Sequence, residues 1–218
     1  MMPMHILYGG TFDPVHHGHL RLALEVSERF GNVPVHLVPC YIPPHRGETG
    51  ATAAQRLRLL ELAIDGEPRL RIDDRELRRE GASYTADTLR QLRNELGPDV
   101  PLVMVLGTDA FAGFDLWKEW QQIPDLAHIV VVRRPGTLLD PEGEPARLLT
   151  ERGGEAVDAS ARASGRVIEL DPPWLDISAT GVRERIGRGR SPRYLVPDNV
   201  WEEIRRLGLY GACPVKNF

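Results

Sequence analysis

The sequence predicts an α/β chain built on a doubly wound parallel sheet flanked by helices, with a short helical region at the C-terminal end. Three observations predict it. Short apolar runs bounded by glycine or proline alternate with stretches whose apolar residues recur at helical spacing, the pattern of repeated strand–helix units. The apolar runs are continuous, as expected of strands covered on both faces. The chain has 218 residues, 42% hydrophobic and 27% charged, which suits one generous domain over residues 1–218 and excludes a fibre or a disordered tail.

The elements follow in order. Met4-His5-Ile6-Leu7-Tyr8 reads as a buried strand ending at Gly9-Gly10, and Leu20, Ala23 and Leu24 begin a helical stripe that runs to Phe30 and stops at Gly31-Asn32. Val35 to Val38 is a second strand, followed by the proline-rich loop Pro39 to Arg46 and a helix marked by Leu57, Leu60 and Ile64. Leu70-Arg71-Ile72 is a short strand. Thr85 is placed to cap a helix with Leu89, Leu92 and Leu96 on one face. Leu102 to Leu106 is a strand closed by Gly107, and Ile129 to Val132, ending at Arg133-Arg134-Pro135-Gly136, is expected beside it. The polar stretch from Leu138 to about Gly165 reads as a surface insertion. Val167 to Leu170 resumes a strand, and residues 177–210 form the C-terminal helical part, with helices over Thr180 to Ile186 and Asp198 to Leu207.

Charge and cysteine content narrow the function. Lys+Arg 27 against Asp+Glu 31 leaves a net charge of −4, so no global positive field draws the chain to nucleic acid or an anionic membrane. Any anion site must be local. Only Lys118 and Lys216 are lysines, and this arginine skew reads first as coding bias. Two distant cysteines, Cys40 and Cys213, argue against a disulfide framework or a cysteine-rich zinc site. No apolar run approaches the length of a membrane span and no basic leader precedes the first strand, so a cytoplasmic location is expected.

In doubly wound sheets ligands bind outside the carboxyl ends of the strands, so the loops after strands carry the information. The first is Gly9-Gly10-Thr11-Phe12-Asp13-Pro14-Val15-His16-His17-Gly18-His19. Its glycines let backbone approach a ligand, the helix start presents N–H groups to an anion, and His16 and His19 bracket the small Gly18. A zinc site through His16, His17 and His19 would need three rings to converge from one tight turn with only Asp13 nearby. A plain helix entry leaves Gly9-Gly10 unexplained.

Ile177-Ser178-Ala179-Thr180-Gly181-Val182-Arg183 places hydroxyls at a helix start and an arginine a few residues on, a phosphate-binding arrangement whose plain alternative is a helix cap with a surface arginine. Phe111, Phe114, Trp117 and Trp120 recur at helical spacing, more often the mark of a core. Arg75 to Glu80 mixes both signs and reads as a solvated face.

These two segments resemble the signatures of the nucleotidyltransferase superfamily of adenylyl- and cytidylyltransferases. GGTFDPVHHGHL is similar to the (H/T)xGH signature, with His16 and His19 at its two positions. ISATGVR is similar to ISSTxxR, with Ala179 in place of the second Ser, so Ser178, Thr180 and Arg183 carry over and the middle hydroxyl does not. Pro43-Pro44-His45-Arg46, Tyr84-Thr85-Ala86-Asp87-Thr88-Leu89, Gly107-Thr108-Asp109, Trp117-Lys118, Arg133-Arg134-Pro135-Gly136 and Tyr194-Leu195-Val196-Pro197 extend the likeness to the bacterial nicotinate mononucleotide adenylyltransferases, from about Ile6 to Tyr210.

The resemblance implies a Rossmann-like fold and AMP transfer from ATP to nicotinate mononucleotide in NAD biosynthesis, giving deamido-NAD and pyrophosphate. It implies His16, His19 and Arg183 as catalytic residues. Gly9, Gly10, Thr11, Phe12, Gly107, Asp109, Ile177, Ser178 and Thr180 would join them around ATP. His45, Arg46, Tyr84, Thr85, Trp117, Lys118 and Arg133 would hold the mononucleotide, with Trp117 facing the ring and Trp120 in the core. Asp109 has the alternative role of capping the next helix, and Arg46 that of a solvated loop residue. Mg²⁺ is expected on the ATP phosphates, with no metal site of the protein's own and neither nucleic acid nor membrane as partner. The alternatives are adenylyl transfer to nicotinamide mononucleotide or phosphopantetheine, and a nucleotide sensor without turnover.

Overall fold

Alternate residues of the central strands bury into two separate apolar layers, one on each face of the sheet. Ile6, Val103, Val105, Val130 and Val132 join one layer, while Leu7, Leu102, Met104, Leu106, Ile129 and Val131 join the other. This is the two-residue period of a strand acting with burial on both sides. The computed structural model describes residues 4–41, 49–79, 81–134, 136–173 and 175–213.

In chain order the elements are β1 (His5–Gly10), α1 (His17–Arg29), β2 (Val35–Pro39), α2 (Ala53–Ile64), β3 (Leu70–Ile72), α3 (Thr85–Leu96), β4 (Leu102–Gly107) and α4 (Thr108–Phe111). Two 3₁₀ turns, Phe114–Leu116 and Trp120–Gln122, lead to α5 (Ile123–Leu126) and β5 (His128–Val132). Then come α6 (Glu144–Arg152), α7 (Ala156–Ala159), β6 (Val167–Leu170), α8 (Ala179–Gly187), α9 (Asp198–Leu207) and a 3₁₀ turn, Leu209–Gly211. The sheet order is β3-β2-β1-β4-β5-β6 and every pairing is parallel. The fold is the Rossmann-like α/β arrangement expected. Helices α1, α2, α8 and α9 bury against the first layer, and α3, α5 and α6 against the second. No helix among the described residues is long and apolar enough to cross a membrane.

Several expected boundaries shift for local reasons. Helix α1 begins at His17, three residues before its apolar stripe, because His16 and His19 cap it reciprocally. Thr85 is the first helical residue of α3 rather than its cap; Tyr84 holds that position and makes no side-chain capping bond. The aromatic run 111–120 is not one helix. Glu119 takes a left-handed φ of 57° and the chain breaks into α4 and the two 3₁₀ turns, yet Phe111 and Phe114 are still buried. The polar stretch expected as an insertion carries α6 and α7, lies on the β5-to-β6 crossover and buries Leu148 and Ala159. Within the mixed-charge run the described residues 75–79 are not wholly solvated: Glu76 is buried, and Arg75 donates to Asp73 over 2.6 Å.

Histidines in the sheet hold their neighbours as neutral rings. His128 is fully buried; its Nδ1 accepts from the Arg166 N–H at 3.1 Å and its Nε2 donates to the Arg162 carbonyl at 2.9 Å, tying residues 162–166 to β5. His5 stacks on His36 with centroids 4.0 Å apart. Burial lowers all three, His5 to about 4. The unfolded chain, with histidines near 6.5, therefore takes up protons first on acidification, and stability falls with pH through that window. Urea denaturation should show a midpoint that declines from pH 6.5 to about 4, and His5→Phe should flatten part of that decline. A midpoint constant over this range would contradict the assignment.

Candidate active site

The strand order reverses between β1 and β4. There α1 leaves on one face and α4 on the other, so the carboxyl ends of these two strands open a crevice, the usual ligand position in such sheets. A cavity of about 650 Å³ occupies it. Tyr8, Gly9, Gly10, Thr11, Phe12 and Asp13 line it from β1 and the following loop, with His16, Gly18 and His19 from the start of α1. Met104 to Gly107 and Asp109 enter from β4 and α4, Ser83, Tyr84 and Thr85 from the start of α3, and Trp117 and Lys118 from the segment between the 3₁₀ turns. Arg134 follows β5, and Ile177, Ser178, Ala179, Thr180 and Arg183 come from the start of α8.

The two histidines form one unit. The His19 N–H donates to His16 Nδ1 at 3.4 Å and the His16 N–H to His19 Nδ1 at 3.3 Å, and their rings stack at 3.7 Å. Because each Nδ1 accepts, each ring carries its proton on Nε2. His16 is 4% exposed, and burial, helped by the nearby charge of Arg134, lowers it to about 4. It is a neutral donor at ordinary pH. A methyl group on Gly18 would stand 3.0 Å from His16 Nδ1, so the residue between the rings must be small. Phe12, fully buried with φ 49°, packs edge-on against His19 at 5.0 Å and sets its back wall.

The second segment sits across the cavity. Ser178 caps α8, its Oγ accepting from the Gly181 N–H at 3.1 Å. Arg183 donates to the Asp13 carbonyl at 2.7 Å and to Thr180 Oγ1 at 3.2 Å, which holds a half-exposed guanidinium between the two segments.

At the other end, Trp117 rests on Phe114 at 5.4 Å, so it has a core side and a cavity side. Trp120 packs with the buried layer. Lys118 Nζ lies 4.5 Å over the Tyr84 ring. Asp109 accepts from Arg134 at 2.8 Å.

Nearly all the expected site residues within the described part of the chain meet here. Arg133 does not: its backbone N–H continues the sheet pairing to the Leu170 carbonyl at 2.8 Å, and its side chain is exposed beside Glu169. The next residue, Arg134, takes the cavity side. His45 and Arg46 lie outside the described residues. Among the described residues no group of three or more His, Cys, Asp or Glu side chains is placed to hold a metal ion. The carboxylates of the cavity are Asp13 and Glu76, both buried, and the more exposed Asp109. A single accessible carboxylate suits a divalent ion that keeps most of its coordination on ligand phosphates and water.

Among the residues that sequence reasoning missed are Glu76 and Arg56. Glu76 is buried at the edge of the cavity, receives the Thr88 hydroxyl at 2.6 Å and is raised by burial; a mixed-charge run hid it. Arg56, in α2, is 0% exposed and donates to the carbonyls of Thr11 (2.7 Å), Cys40 (2.8 Å) and Tyr41 (3.0 Å). It clamps the loops after β1 and β2 together. Its only sequence signal is an arginine directly before the apolar stripe of α2.

The chain belongs to the cytidylyltransferase-like family, whose model matches residues 7–185. It is 65% identical over 214 residues to a probable nicotinate-nucleotide adenylyltransferase of Marinobacter nauticus, covering 98% of this chain and 99% of that one. It is 47% identical over 210 residues to the probable enzyme of the same name from Cellvibrio japonicus, covering 96% and 100%. Among solved structures, Plasmodium falciparum nicotinic acid mononucleotide adenylyltransferase complexed with NaAD superposes with a TM-score of 0.72 at 16% identity, over 95% of this chain and 97% of that one, which shows a shared fold.

Arg56→Met should cost about 2–3 kcal/mol of stability, since three carbonyls lose a charged donor, and should weaken binding to the cavity generally because two of its loops are released together. Thermal melting and ligand titration check it; an unchanged melting temperature would remove the clamp role.

Proposed function

We propose that this chain is the adenylyltransferase that joins AMP from ATP to nicotinate mononucleotide, forming deamido-NAD and releasing pyrophosphate, as one nucleotidyltransferase domain over residues 1–218 working in the cytoplasm in NAD biosynthesis. One observation carries the reading: the segments His16 to His19 and Ser178 to Arg183 face one cavity whose far end offers the aromatic face of Trp117, the start of α3 and the backbone at Lys118. The names of the full-length relatives agree with it.

A 5′-phosphate oxygen of the mononucleotide attacks the α-phosphorus of ATP. The new P–O bond forms as the bond to the bridging oxygen breaks, and the electron pair leaves with pyrophosphate. The nucleophile is already an anion, so no base is required and catalysis reduces to alignment and charge stabilisation. His16 supplies a neutral Nε2–H donor to the phosphates, and His19 a second Nε2–H. Neutrality matters: a cation there would bind the ground-state triphosphate tightly, whereas a placed dipole gains most as charge shifts in the transition state. Arg183, Thr180 and Ser178 hold the β- and γ-phosphates. Gly9, Gly10, Thr11, Phe12, Gly107 and Ile177 shape the ATP side, and Asp109 faces the ribose or the ion's water shell. Mg²⁺ carried on the phosphates, with Asp109 as the accessible carboxylate, would neutralise charge when bound. The pyridine ring stacks on Trp117, and backbone N–H groups near Thr85 and Lys118 meet its carboxylate, with Tyr84 as the wall beneath Lys118. Arg134 replaces Arg133 as the arginine directed at nucleotide.

Incubation with ATP, Mg²⁺ and a panel of acceptors should give fastest pyrophosphate release with nicotinate mononucleotide. Equal turnover of the amide would sink the carboxylate assignment, and turnover of phosphopantetheine alone would select the other acceptor class. His19→Ala should lower kcat about a hundredfold or more with little change in mononucleotide KM. Trp117→Ala should instead raise that KM about tenfold; an unchanged KM with a lowered melting temperature would return Trp117 to the core.

A further inference from the structure

Behind Arg183 lies a buried junction that the proposed chemistry does not itself use. The Asp13 carboxylate, 7% exposed as a side chain, accepts the Tyr210 hydroxyl on Oδ1 at 2.7 Å and the Gly50 N–H on Oδ2 at 2.8 Å. Arg183 stands 3.8 Å from Oδ2, too far for a direct hydrogen bond, and donates instead to the Asp13 carbonyl at 2.7 Å and to Thr180 at 3.2 Å. Four separate parts of the chain thus converge: the loop after β1, the segment before α2, the phosphate helix α8 and the terminal turn.

Two backbone features mark the junction as constrained. Phe12, just before Asp13, and Tyr210 itself both take left-handed φ values, 49° and 56°, which non-glycine residues hold only where their surroundings enforce them. Gly50 is packed so closely that a methyl group there would lie 2.8 Å from the Tyr210 ring and 3.3 Å from Arg183 Cδ.

We propose that Tyr210 is a positioning residue for triphosphate binding: by occupying Asp13 Oδ1 it keeps the loose 3.8 Å pair between that carboxylate and Arg183 from tightening into direct hydrogen bonds, and so leaves the guanidinium at the cavity wall. The inference rests on the adenylyltransferase reading only in assigning Arg183 to phosphate. Without the Tyr210 hydroxyl, Oδ1 is an unsatisfied buried acceptor, and Arg183, already 3.8 Å from Oδ2, is a charged donor beside the same carboxylate. Closing the 3.8 Å gap draws the guanidinium toward the carboxylate and withdraws its charge from the cavity. Affinity for ATP then depends on the terminal turn being docked, even though the turn does not line the cavity.

Calorimetric titration of a non-hydrolysable ATP analogue into wild type, Tyr210→Phe and Gly50→Ala tests this without reference to the acceptor. Tyr210→Phe should weaken the analogue about five- to tenfold while leaving nicotinate mononucleotide affinity nearly unchanged. Gly50→Ala, which displaces the same ring, should act in the same direction. In an Arg183→Gln background Tyr210→Phe should have no further effect on the analogue. Equal weakening of both ligands, or a persistent effect without Arg183, makes Tyr210 merely structural and overturns the proposal. Wild type that binds the analogue but transfers AMP to no mononucleotide sinks the acceptor assignment alone; wild type that binds no analogue sinks both.

Discussion

The reversal of strand order between β1 and β4 is the constraint on which the rest depends. Parallel pairing of β1 with both β2 and β4 requires each connection to cross over the sheet, and the crossovers leaving β1 and β4 bury on opposite layers. The crevice between them is therefore a product of topology, formed before any ligand is considered. Because the strands end there, the loops beyond them are freed from the sheet ladder and can present N–H groups and side chains to an anion. The elements that carry or flank the cavity residues draw their stability from apolar burial elsewhere, which lets the cavity be polar without weakening the core.

What the loops then require is rigidity, and the chain obtains it with polar clamps that reach across sequence. Arg56 ties two strand-end loops through carbonyls alone. Asp13 ties the first loop to α8 and to the terminal turn. The capping pair His16 and His19 spends its two Nδ1 atoms on the helix start and so fixes which nitrogen of each ring carries the proton. None of these is a surface ion pair of marginal worth; each holds loop backbone that no ladder supports.

The strands and long helices were legible because burial on both faces writes an apolar run and amphipathic burial writes a 3.6-residue stripe; α9 matches the expected Asp198 to Leu207. Both segments proposed to bind phosphate were legible because glycine, histidine and hydroxyl residues cluster in them locally. The less legible features depend on contacts distant in sequence. Arg56 and Tyr210 look like an ordinary helix arginine and an ordinary tail tyrosine until Thr11 and Asp13 are brought beside them, 45 and 197 residues away. Glu76 failed for the same reason, as its partner Thr88 lies on another element. Arg133 and Arg134 could not be told apart from composition, since which of two adjacent residues faces the cavity is a matter of strand phase, and a shift of one residue exchanges the faces.

The distribution of charge follows from this arrangement. A chain of net charge −4 that must bind polyanions cannot rely on a general field, and a cluster of bare cations at the reacting phosphorus would stabilise the bound triphosphate as strongly as its transition state. The cavity separates the two tasks. Its arginines are restrained: Arg183 is held by backbone carbonyl and hydroxyl oxygens with a carboxylate just beyond contact distance, and Arg134 is engaged with Asp109. At the centre stand two histidines, of which His16 is lowered to about 4 by burial and so is a dipole rather than a charge. Full charge is thus confined to the flanks, where on the proposed reading it binds and orients. The group nearest the expected reaction is a fixed neutral donor whose contribution grows only as negative charge develops.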